Sequence, residues 1–75
     1  MLNNYQTQNV NNVTKSDSAT FTPGVVWVGI GGTVTLLTSG GTTGIFFVNS
    51  GTVIPVMAQR IASTGTTASG FVIIY

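Results

Sequence analysis

The sequence predicts an all-β fold: a small antiparallel β-barrel or β-sandwich with an extended polar N-terminal arm. Three observations carry this reading. β-Branched and aromatic residues gather into runs of strand length. Glycine-centred turn signals separate those runs. Stretches of Ala, Leu, Glu and Lys, which favour helix, are missing.

Residues 1–20 read as the arm and 21–75 as the β domain. In the arm Asn, Gln, Ser and Thr dominate, and Met1, Leu2, Tyr5, Val10, Val13 and Ala19 are isolated apolar points with no helical or strand period. Such a segment buries too little area to offset its ordering entropy. It is either a disordered tail or an arm that orders on a partner, with Leu2, Tyr5, Val10 and Val13 as anchors.

From Phe21 onward the pattern is β. Pro23-Gly24 starts a strand over Val25–Ile30 (VVWVGI). Gly31-Gly32 predicts a two-residue hairpin turn into Thr33–Thr38 (TVTLLT), because glycine tolerates the positive φ of such turns. Ser39-Gly40-Gly41 leads to Thr43–Val48 (TGIFFV), and Asn49-Ser50-Gly51 to the longest strand, Thr52–Ala62. Pro55 has no N–H, so it predicts an edge position or a bulge within that strand. A loop of small residues, Ser63–Gly70, precedes the last strand, Phe71–Tyr75.

In several strands both faces are apolar. Val26, Val28 and Ile30 oppose Val25 and Trp27; Ile45 and Phe47 oppose Phe46 and Val48; Phe71, Ile73 and Tyr75 oppose Val72 and Ile74. A sheet with one wetted face would alternate apolar with polar. One face therefore serves the core, and the other either meets a neighbouring subunit or is hidden inside a tight barrel. Trp27, Phe46, Arg60 and Ile74 are the expected interface residues. Arg60 is read two ways: as a solvated residue guarding an edge, or as a group bonding across subunits to Asp17 or the carboxylate at Tyr75.

Composition excludes most chemistry. The 75 residues hold two cations, Lys15 and Arg60, one anion, Asp17, and no His or Cys. One carboxylate makes no acid–base pair, and Asp17 has no base to activate it, so it reads as a polar anchor, with Lys15 pairing weakly beside it. The usual zinc ligand sets cannot be built, and no cofactor is expected. Two cations cannot neutralise a run of phosphates, which argues against nucleic acid. Gly29–Gly32 lacks the Lys and the helix of a phosphate loop. No apolar run approaches the roughly 20 residues that span a membrane as a helix, and no signal peptide is visible, so synthesis in the cytoplasm is expected. A domain this small usually needs a staple, and with disulfide and metal removed, oligomerisation is the expected one.

The C-terminal half carries a family resemblance. The run Gly51-Thr52-Val53-Ile54-Pro55-Val56, then Ala58-Gln59-Arg60-Ile61, then Ser63-Thr64-Gly65-Thr66-Thr67-Ala68 before an apolar strand ending at Tyr75, resembles the head spike base proteins of gene transfer agents and related tailed-phage particles. Ser16-Asp17, Trp27-Val28-Gly29 and Gly40-Gly41 follow the same order of features, so the resemblance spans roughly residues 16–75. It implies a non-enzymatic virion protein on the capsid exterior. The implied assembly is a ring, a pentamer or trimer, contacting the major capsid protein and carrying a head fibre protein. Two rival functions stand beside it: a cement or decoration protein covering the shell, and a carbohydrate-binding module using Trp27 and Tyr5 as stacking platforms.

Overall fold

The computed structural model describes residues 9–75. Its strands are β1 (Val10–Val13), β2 (Gly24–Ile30), β3 (Gly32–Thr38), β4 (Thr43–Val48), β5 (Thr52–Ile61) and β6 (Ser69–Ile74). They form one six-stranded antiparallel sheet in the order β1-β6-β2-β5-β3-β4, with no helix among the described residues. The all-β expectation therefore holds, and β2 to β6 lie almost where the turn signals place them. β1 is a departure: no strand was expected over Val-Asn-Asn-Val, yet it pairs with the last strand, Val10 opposite Ile74 and Val13 opposite Phe71. Backbone pairing to an available edge supplies what its own side chains do not.

The expected Gly31-Gly32 hairpin is not formed. β2 and β3 are consecutive in sequence but share no ladder, because β5 lies between them. The cause is the irregularity of β5. Gly24 faces Ala58 and Val26 faces Ile54, so Pro55, Val56 and Met57 together oppose Val25. Pro55 thus sits at a bulge, one of the two positions open to it in a sheet. Further along, Leu37 faces Arg60 and Thr38 faces Ala58, leaving Gln59 as an extra residue. That single-residue excess inverts the side-chain alternation, so that Ile54, Ala58 and Ile61 are all buried. The first part of β5 accordingly pairs with β2 and its end with β3. The sheet folds over on this strand, bringing Val26 and Val28 of β2 into one core with Val34 and Leu36 of β3, and with Phe71 and Ile73 of β6. Burial of each large aliphatic side chain there contributes about 1.5–3 kcal/mol. The β3–β4 turn, by contrast, is the expected hairpin, closed by Thr38 and Thr42.

Gly31 is the corner between β2 and β3. Its N–H donates to Ser50 Oγ at 2.8 Å. A Cβ there would stand 2.6 Å from the Val48 carbonyl oxygen and 2.7 Å from the Ser50 nitrogen. Glycine is required by close approach of backbone, not by a hairpin turn.

Two of the three charges strap the segment before β2 to the loop before β6. The Asp17 carboxylate accepts the Thr64 N–H at 2.9 Å and the Thr64 hydroxyl at 2.7 Å. Lys15, expected beside Asp17, instead donates from Nζ to the carbonyls of Thr66 and Ala68 at 2.9 and 3.3 Å. Ser16 and Phe21 donate backbone N–H groups to the carbonyls of Ile61 and Gln59. The Thr64 N–H, then its hydroxyl, hold the Asp17 carboxyl below its ordinary pKa of 3.8.

Two tests follow from this geometry. Gly31→Ala should lower stability to urea by about 1–3 kcal/mol through overpacking. Gly40→Ala, whose new Cβ would lie 3.8 Å from its nearest neighbour, should change it by no more than about 0.5 kcal/mol; equal losses at both positions would contradict the corner. For Asp17 the folded pKa is the lower one. Its stabilising contact is complete above 3.8 and disappears as pH falls through the depressed folded value. The Thr64 amide resonance should titrate in that acid window and stop titrating in Asp17→Asn; an unchanged titration in the variant would rule the strap out.

Candidate assembly surface

The side of the sheet away from the core is apolar across β6, β2 and β5, with Asn12 and Val10 of β1 at its margin. Asn12, Val72, Trp27 and Val53 stand side by side on β1, β6, β2 and β5. The neighbouring row is Val10, Ile74 and Val25. These positions alternate with the buried Val26, Val28, Phe71 and Ile73, so burial of one set fixes the outward direction of the other. Trp27 is 37% exposed, Val53 and Met57 48% each, and Val10 71%.

A second apolar area lies on β4. Phe46 and Val48 turn inward against the core, which leaves Ile45 64% and Phe47 85% exposed. Thr33 and Thr35 of β3 are the outward partners of Phe47 and Ile45. Both threonines are engaged by the loop before β6: the Thr35 hydroxyl donates to the Gly65 carbonyl, and the Thr33 N–H to Thr67 Oγ1. This polar strip separates the β4 patch from the Trp27 face. Among the described residues β4 has β3 as its one sheet neighbour, so its other backbone edge is open.

The expected site residues fall into different places. Trp27 and Ile74 are on the outward face. Phe46 is packed on the core, and its neighbour Phe47 is the outward aromatic. Val10 is exposed on β1, whereas Val13 packs against the core. Leu2 and Tyr5 lie outside the described residues. Arg60 is half-buried, and its Nε has no hydrogen-bond partner among the described residues; it makes its mark as a weak favourable charge on Asp17. Sequence reading missed Phe47, Ile45, Val53 and Met57. Alternation paired Phe47 with Ile45 but could not say which side of β4 meets the core.

The surface has the means for adhesion and few for chemistry. Among the described residues no cluster of His, Cys, Asp or Glu could hold a metal ion. The one carboxylate is engaged by Thr64, and neither apolar area includes a charged side chain.

No protein-family model matches the sequence, and no curated protein matches it. A solved structure does. A chain in the capsid of a native gene transfer agent particle, computed with C5 symmetry, superposes with a TM-score of 0.80 at 31% sequence identity, over 92% of this chain and 83% of that one. Identity at that level over nearly the whole length extends beyond a shared fold: this chain belongs to the family of gene transfer agent capsid proteins represented there.

Proposed function

We propose that the protein is a structural component of a gene transfer agent or related tailed-phage particle, acting as a head spike base on the capsid exterior. The observation that carries this is the near full-length match to a chain of a gene transfer agent capsid. Its role is adhesion, not catalysis. Copies assemble as a ring at a vertex, the major capsid protein lies beneath, and a head fibre protein is received above. The uncharged Trp27 and β4 areas, and a chain of 75 residues without cysteine, support function within an assembly. The arm, with Leu2, Tyr5 and Val10, is the segment proposed to reach the capsid, and Val13 fixes its root to the domain. A carbohydrate-binding role is less well supported, because Trp27 stands between Val53 and Val72 rather than among the hydrogen-bonding side chains that sugar hydroxyls need.

Copy number on purified particles tests the spike reading. A vertex ring of five predicts about 60 copies or fewer, from closed symmetry. Quantitative mass spectrometry giving several hundred copies would replace the spike base with a shell cement. Deletion of residues 1–8 should abolish co-sedimentation with particles lacking the protein while leaving the domain folded; undiminished binding would remove the arm from the capsid contact.

A further inference from the structure

The Trp27 face has a fixed shape. The indole lies over Gly29: a Cβ at that glycine would stand 3.1 Å from Trp27 Cζ3 and 3.4 Å from Cη2. A side chain there would lift the ring, so glycine keeps it down on the sheet. Val72 of β6 and Val53 of β5 flank the ring, and Ile74 and Val25 form the next row. That row lies at the end of the sheet where the chain enters. Asn9 and Tyr75 exchange backbone hydrogen bonds of 2.8 and 2.9 Å, so residues 1–8 are tethered at the margin of this face.

We propose that in the free protein residues 1–8 turn back across the sheet and cover the Trp27 face, with Tyr5 over β6 and β2 and Leu2 near Val53 and Met57. The cover is a property of the free chain, and its transfer to the capsid rests on the function proposed above. Three observations favour this segment as the occupant. The first is reach. The face runs from β1 to β5, three inter-strand steps or about 14 Å. Tyr5 is four residues from Asn9 and Leu2 is seven, and extended chain spans about 13 and 23 Å over those lengths. The second is chemistry. Residues 1–8 (MLNNYQTQ) include no charged side chain and neither does the face, so closing one on the other strands no ion. The third is the tether itself. A short linker holds the segment at an effective concentration on the order of millimolar, above that of a separate partner in dilute solution. Leu2 and Tyr5 then cannot face the capsid until the cover opens, so the arm and the Trp27 face are released together.

Trp27 is the one tryptophan in the chain, so its fluorescence reports on this face alone. In the full-length protein its quenching by acrylamide should be weak and unchanged by dilution. Deleting residues 1–8 should red-shift the emission and raise the quenching. Leu2→Asp combined with Tyr5→Asp in the full-length chain should do the same while circular dichroism shows the fold retained, and Tyr5→Phe should keep the cover. Equal quenching in the wild type and the double variant would overturn the cover. So would wild-type quenching that rises on dilution, the mark of a separate copy as occupant. The capsid reading fails separately. A double variant that gains quenching yet still co-sediments with particles keeps the cover and removes the arm from the capsid contact. One that loses co-sedimentation with unchanged quenching overturns the cover and leaves the capsid contact standing.

Discussion

The structure depends on the irregular course of β5. A regular strand of ten residues would hold β2 on one side and β3 on the other in a flat sheet, with both faces wet and nothing enclosed. The two interruptions, at Pro55–Met57 and at Gln59, change this. Proline withholds a donor where β2 could not use one, and the surplus residues bend the strand. Gln59 then fastens the bend: its side-chain amide donates to the Thr38 carbonyl at 3.0 Å, and its own carbonyl accepts from Phe21. With β5 bent, the inward residues of β2 and β3 meet, and a chain of this size has a core.

The same constraint explains what was legible in the sequence. Strand positions were readable because they depend on local properties: β-branched runs bounded by glycine. The bulge at Pro55 was readable because proline's missing N–H is a local fact. Strand order was not readable. Gly31-Gly32 is a good hairpin signal, but the same glycines also suit a tight corner between layers, and the choice was made by β5, some twenty residues downstream. β1 was hidden for a related reason. Val-Asn-Asn-Val carries no period of its own and becomes a strand because β6 offers an edge. Phe46 and Phe47 show the limit most simply. Alternation says that two adjacent aromatics point to opposite sides, and only the folded sheet says which is inside.

The few charges are unevenly placed. Lys15 and Asp17 are both spent on one task, holding the segment before β2 against the loop of Ser63–Ala68. That loop in turn satisfies the exposed start of β3, where Thr66 Oγ1 accepts the Thr35 N–H and the Thr33 carbonyl receives the N–H groups of Thr67 and Ala68. With Arg60 half-buried on β5 opposite Leu37, the Trp27 face and the outer side of β4 carry no charge. A solitary soluble domain usually scatters charges to keep copies apart. This chain does the reverse, which suits a chain held within a capsid assembly.

An open strand edge imposes a last condition on such a protein. Among the described residues β4 has an edge with no sheet partner, a β-forming sequence and an exposed aromatic, which together are a template for indefinite stacking. Charge, proline and a bulge are the usual protections, and none is present in Thr43–Val48. The remaining protection is occupancy. An edge that a partner covers presents no template, so the neutrality that would endanger this domain alone is tolerable in a chain that belongs to a capsid assembly.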